Sequence, residues 1–566
     1  SVKIGTIGAD GTVQMGQINQ TVEVTELKTY VLEGMVAATE KTGHQGQVRV
    51  DFMKKVNGKF VNVYQTRNRI VQKTDKFSPL RMVLTPAEDV THLRFVFTNA
   101  RTPIFLDQLH LQEVDFSKFN ENPNDHLELM GIKELHAEGL TGKGVGIAIV
   151  DTGVRDGMLG KQTKQNYNAL RQKEGAFQLD HHGHGTLMAS LAGGNNPGSV
   201  APGVEIISVR ALGNKGSGQV SHILDALDYI DKNHKELNIR VVNLSLQGPV
   251  TGPYWENPVN QAVEELWRKG IVVVVAAGNT GPHAGSITTP GNDPFVITVG
   301  SYTDNYTVED RTDDFIPPFS ASGPTEAGFI KPDIIVPGAH IRAFVHPDSL
   351  YAHDYPSLHT GFGLYRTAGT SSAAALTSGA VALLLEAEPS LTPDEVKYRL
   401  MQAAKPALDA NGDLAFSIFQ QGAGMLWLPD ALLEKHLGKV ANLGMTPGED
   451  YVGPAVYNEE REGFVILGPD MQPLPDGEDY FWDGESVWSG ENYWSGGRFW
   501  SGGRFWAGGR FWSGTDFWSG GRFWSGTDYW SGGRFWSGTE FWFGGRFWSG
   551  TEPDKVFSPS LTKEQY

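Results

Sequence analysis

The chain has 566 residues, 40% of them hydrophobic, a formal net charge of −18 and no cysteine. That length and apolar content call for more than one domain with large cores. The acidic balance and the lack of a basic stripe exclude nucleic acid as a partner, and without cysteine there is neither a disulfide framework nor thiol chemistry.

Residues 1–115 alternate apolar and polar positions in short stretches starting near Thr29, Gln47, Lys59, Arg81 and His92, separated by Gly, Asn, Pro and Asp turns. This pattern predicts an antiparallel all-β sandwich. Its last stretch, Phe105–Leu111, resembles the closing strand of jelly-roll, galactose-binding-like modules. Residues 1–115 are therefore read as an accessory module that binds a ligand or stabilises and orients the rest of the chain. Residues 116–139 are a linker with a leading helix.

The run Val145–Val150 is short, β-branched and bounded by Gly, which predicts a strand buried on both faces. Asp151 closes it, at the carboxyl end where α/β folds place ligands. His184 and Ser371 each open a run rich in good helix formers with small residues on one side, so both side chains are expected at helix N-termini. A Ser hydroxyl needs an adjacent base to take its proton and a third group to hold that base in the right tautomer. His184 and Asp151 can fill those roles. The oxyanion that develops needs donors already aimed at it. The backbone N–H of Ser371 supplies one and the side chain of Asn279, just after the apolar run Ile271–Val275, a second. His181 and His182 are read as loop residues, because no matching set of metal ligands is visible near them.

Chain order Asp, His, Ser, with the Ser in Gly369-Thr-Ser-Ser-Ala, departs from the hydrolase order Ser, acid, His with G-x-S-x-G. From residue 126 to 435, about half the chain, the sequence resembles the subtilisin family. The segments that carry the likeness are Thr141–Val154, His182–Thr186, Val200–Gly203, Gly216–Gly218, Asn243–Leu246, Ala276–Asn279, Lys331–Asp333 and Gly369–Ser371. The resemblance implies an α/β fold with a subtilisin-like parallel sheet and helices on both faces. It implies a serine endopeptidase with catalytic Asp151, His184 and Ser371, Asn279 as oxyanion donor, and polypeptide substrates bound as an added strand. The edges that would take that strand are Gly216, Ser217 and Gly218 on one side and Ser245, Leu246 and Gln247 on the other. Ala276, Ala277 and Gly278 form the wall opposite Gln247 in the primary pocket. Family members usually carry Gly at the position of Gln247, so its side chain is expected to narrow the pocket. The chemistry requires no cofactor. Structural calcium, which many members hold in loops, is an option here, with no metal ligand assigned; Asp409–Asp413 reads as an ordinary turn rather than a calcium loop.

Alternating strand-like and helix-like runs fill out the catalytic domain, read as residues 140–438, and Thr392-Pro-Asp-Glu395 predicts a capping box that starts one of its last helices. No apolar run approaches 18 residues, so no transmembrane segment is expected. The start at Ser1 lacks a signal peptide's charged lead and apolar core. An exported, processed chain is the expectation, an intracellular one the alternative.

Residues 439–480 are read as a linker or extension, and 553–566 as a tail. Between them, over 481–552, Trp recurs every six residues from Trp482 to Trp548. From Arg510 onward the charged position alternates between Arg and an acid, so the repeat there is twelve residues. A β-rich structure is predicted, either a hairpin meander or a triangular solenoid, with an irregular belt docked on the protease as a third option. The aromatic ribbon is either self-packed or a contact surface for insoluble protein or polysaccharide. For the whole protein the alternative to an active endopeptidase is a binding or adhesion protein on an inactive scaffold of the same family.

Overall fold

The computed structural model describes most of residues 2–113, then 125–467 apart from 156, 160–162, 176–179, 195, 197, 362, 410 and 434–435, and beyond that 473, 481–484, 493–494 and 558–559. Apart from 481–484 and 493–494, the Trp repeat lies outside the described residues.

Two four-stranded antiparallel sheets occupy the N-terminal region. One runs in the order Val2–Ile4, Ile104–Glu113, Tyr30–Ala38, Ser78–Leu84; the other in the order Gln17–Glu23, His92–Asn99, Gly46–Val56, Lys59–Ile70. Leu32, Met82 and Leu106 from the first and Val50, Phe52, Phe95 and Phe97 from the second share one apolar core. Val31 and Val83 face the other way and join the core of the region after residue 125, with Val83 packed where Gly363 leaves room for it.

That region, which carries the expected site residues, is built on a ten-stranded sheet, parallel except at the outermost pair on each end. Its centre contains β1 (Gly146–Asp151), flanked by β2 (Glu205–Arg210) and β3 (Ile239–Leu244), followed on one side by the short edge strand β4 (Leu246–Gln247) and, within the sheet, by β5 (Val272–Ala276) and β6 (Ile297–Tyr302). Every residue of β1 and β5 is buried, as expected for strands covered on both faces. Strand order reverses at β1, whose neighbours β2 and β3 come later in the chain on opposite sides. This topology opens a crevice at the carboxyl end of β1.

Four helices matter for the site: α1 (His184–Gly193), α2 (Pro258–Arg268), α3 (Thr370–Ala387) and α4 (Pro393–Ala403). The helix α2 shows one apolar face, with Val259, Val263, Leu266 and Trp267 buried, and is started by Pro258 and by the Asn257 side chain accepting from the Val259 N–H at 2.9 Å. The Thr392–Glu395 capping box on α4 is present. In contrast α3 is buried on all sides over its first 16 residues, so it carries small and apolar residues all round. It is the one helix among the described residues long and apolar enough to cross a membrane, and 89% of it is buried inside the protein, as a central core helix would be.

Residues 439–480, read as a linker or extension, and the described start of the Trp repeat pack onto this body. Ala455–Asn458, Gly463–Ile466 and Phe481–Trp482 form a small antiparallel sheet, and Trp482 stacks on Phe419 with ring centres 6.0 Å apart. Tyr493–Trp494 pairs with Ala407–Leu408.

Candidate active site

Asp151 ends β1 and His184 opens α1. Gly185 explains how the two approach. A Cβ there would come within 2.1 Å of the Gly153 carbonyl oxygen and 3.1 Å of the Asp151 Cβ, so only glycine lets the first turn of α1 lie against the strand end. The His184 Nδ1–H then donates to Asp151, with both carboxylate oxygens at 2.8 Å. This bond places the proton on Nδ1 and leaves Nε2 as an acceptor. Nε2 is buried with no partner among the described residues.

Ser371 lies in the first turn of α3. The helices α1 and α3 cross in backbone contact at Gly379, where a Cβ would meet the Ala192 oxygen at 2.5 Å and Val200 at 2.7 Å. This crossing packs the helix that opens with His184 against the helix whose first turn holds Ser371. The Ser371 hydroxyl donates to the Ser245 carbonyl at 3.2 Å, and the Ser245 hydroxyl donates to the Ser371 carbonyl at 2.8 Å. Asn243 donates to the Ser245 hydroxyl at 2.9 Å and accepts from Ser378 on α3 at 3.0 Å, so the end of β3 and the first turns of α3 are stitched together.

Asn279 follows β5. Its Oδ1 accepts from the backbone N–H and the hydroxyl of Thr370, both at 3.0 Å, which fixes the amide plane. The Nδ2 group is buried and unpartnered among the described residues. A buried amide donor without a partner costs about 1–3 kcal/mol, which is the usual mark of a group held ready for something else.

Sequence reasoning did not find Asp180. Its carboxylate accepts from the Thr152 hydroxyl (2.9 Å), the Gly183 N–H (2.8 Å), the Thr186 N–H (2.9 Å) and the Thr186 hydroxyl (2.8 Å). It clamps the residue after Asp151 to the first turn of α1. An acid four residues before His184, at the positive end of a helix, was the available signal. Burial pushes the His182 pKa below its usual value, and the adjoining His184 ring adds to that.

The expected substrate edges are arranged differently from one another. Gly216 and Ser217 lie in a turn, with Gly213 donating to the Ser217 carbonyl at 2.8 Å and Gly216 donating to the Gly213 carbonyl at 3.0 Å, while Gly218 takes part in a β-bridge. Ser245 is buried, and Leu246 and Gln247 make the edge strand β4. The Gln247 side chain turns back, and its Oε1 accepts from the Asn279 backbone N–H at 2.8 Å. It therefore reaches the segment after β5, where Ala276, Ala277 and Gly278, expected as the opposite wall, are buried and Gly278 donates to the Thr370 hydroxyl at 3.2 Å. Asp409 accepts from the backbone of Asn411 and Asp413 in an ordinary turn, and among the described residues no group of three or more His, Asp or Glu could hold a metal ion.

A mostly parallel sheet places an acid at the end of one strand, an imidazole at the start of one helix and a serine in the first turn of another. The chain belongs to the subtilase family, whose sequence pattern matches residues 142–424. It is 37% identical over 273 residues to serine protease AprX of Bacillus subtilis (strain 168), a match spanning 46% of this chain and 61% of AprX. It is 32% identical over 280 residues to Subtilisin Savinase of Lederbergia lenta, spanning 48% of this chain and 86% of that protein. Among solved structures, "S41 Psychrophilic Protease" matches at 26% identity and a TM-score of 0.43, covering 52% of this chain and 96% of that one.

Proposed function

We propose that the chain is a serine endopeptidase acting on polypeptides through Asp151, His184 and Ser371. The observation that carries this reading is the polarity of His184: Nδ1 is held by Asp151 while Nε2 is buried, unpaired among the described residues and free to accept a proton. The Ser371 oxygen would attack the substrate carbonyl as its proton passes to Nε2. The tetrahedral oxyanion would be met by the Asn279 Nδ2–H and the Ser371 backbone N–H. His184 would then return the proton to the leaving amine, giving an acyl-enzyme that water hydrolyses by the same relay. The chemistry needs no cofactor. The N-terminal strands are assigned an accessory role, and the catalytic domain is placed at residues 140–438.

Prolonged incubation with an organophosphonate should label Ser371 and no other residue. Ser371→Ala should take up none and lose about six orders of magnitude in turnover while keeping its circular dichroism spectrum. A folded wild-type chain that neither labels nor cleaves would instead support the inactive binding scaffold.

A further inference from the structure

The edge strand that should receive substrate is already occupied. Leu246–Gln247 pairs antiparallel with Ser558–Pro559 from the C-terminal tail, Leu246 opposite Pro559 and Gln247 opposite Ser558. From Ser558 to Pro559 the tail advances from Gln247 toward Leu246. The next residue along that edge is Ser245, whose carbonyl accepts from the Ser371 hydroxyl. The direction of this two-residue ladder thus points toward Ser371, along the path proposed for a bound peptide. A second observation agrees with it: Asp151, His184, Ser245 and Ser371 are all fully inaccessible, although a nucleophile that cleaves proteins must be reached by them.

Two more contacts hold the C-terminal region on the same body, Trp482 on Phe419 and Tyr493–Trp494 on Ala407–Leu408. A two-residue ladder is weak in isolation. Carried on the same chain as the edge it pairs with, it competes as an intramolecular strand rather than at its bulk concentration. Proline at 559 suits the role, since on an edge strand it gives up a backbone donor at little cost.

We propose that the tail segment containing Ser558–Pro559 is the cleft's built-in occupant, a strand of the chain's own sequence lying where substrate binds, which an extended polypeptide must displace. This rests on the peptidase reading above. It makes the substrate edge an interaction surface for two competing peptides, one internal and one external.

The full chain has no cysteine, so a cross-link can report the pairing without ambiguity. Directly opposed residues on antiparallel strands lie about 4.5–5.5 Å apart, within disulfide range. A chain carrying Gln247→Cys and Ser558→Cys should form an intramolecular disulfide under mild oxidation. Its hydrolysis of a small chromogenic peptide should fall at least about tenfold below that of its own reduced form and return on reduction. Ser558→Cys alone should show no redox response. The neighbouring pair, Leu246→Cys with Pro559→Cys, gives an independent test should the first fold poorly. No cross-link in either pair, or a cross-link that leaves hydrolysis unchanged, overturns the proposal. Repeating the cross-linking in a Ser371→Ala background separates the two readings, because pairing needs no catalysis. Cross-linking there, with no hydrolysis by any chain that retains Ser371, would sink the peptidase reading alone.

Discussion

The N-terminal sheets and the catalytic sheet bury their residues by opposite rules. Strand Gln17–Glu23 is exposed at all positions but one, and His92–Asn99 is buried mainly on one face, whereas β1 is buried at every position. Polar residues follow the same division. In the N-terminal region Asp51 is buried between Arg49 and Arg94, at 2.7 and 2.6 Å, and Asn99 accepts from the Gly16 N–H. Among the described residues no buried polar side-chain atom there lacks a partner. In the catalytic region His184 Nε2 and Asn279 Nδ2 do. A sheet covered on both faces can hold polar groups dry and aimed, which catalysis needs; a sheet with one face in water serves packing.

The largest expected break in this comparison comes from the N-terminal core. Phe52→Ala should cost that region about 3–5 kcal/mol, read by urea unfolding, with kcat on a small peptide unchanged. A parallel fall in kcat would show that the two regions are not separable. The reverse dissociation is expected at Asn279. Its change to Ala should lower kcat by about 10²–10³-fold, or about 2.7–4 kcal/mol, while the lost bonds to Thr370 cost only about 1–2 kcal/mol in folding. A loss confined to KM would assign Asn279 to ground-state binding.

Gln247→Gly removes the bridge to the Asn279 N–H and should shift relative kcat/KM toward bulky residues before the scissile bond by about 1–3 kcal/mol. An unchanged cleavage profile would mean that the bridge does not bound the pocket.

The smallest effect concerns buried acids in the catalytic region. Burial raises the Glu326 pKa from 4.5 to about 7; burial and the nearby Asp293 charge raise that of Glu264 as well. Because the unfolded chain gives up these protons first, their contribution is full below about pH 4.5 and is lost as pH rises through the folded values. Glu264→Gln mimics the protonated form, so the difference in Tm between pH 5 and pH 9 should shrink by about 2–4 °C. A difference that stays the same would place the pH dependence elsewhere.

Much was legible in the residues themselves. The runs Val145–Val150 and Ile271–Val275 announced buried strands, Thr392–Glu395 its capping box, and the positions of His184 and Ser371 their helix starts, because each is set by periodicity or capping within a few residues. Residues 439–480, read as a linker or extension, were less legible: they contain the paired strands Ala455–Asn458 and Gly463–Ile466, and Trp482 at the start of the Trp repeat meets Phe419, a contact without any local signal.

By itself the sequence determined the kinds of element, their order and which side chains could do chemistry, since these depend on neighbours along the chain. Tertiary structure decided that Asp180 clamps the Asp151 turn to α1, that Gln247 turns to Asn279 rather than into open space, and that Ser558–Pro559 lies on Leu246–Gln247. Each of these is a hydrogen bond whose partner is chosen by chain crossing and burial, and no spacing in the sequence encodes which distant donor will meet which acceptor.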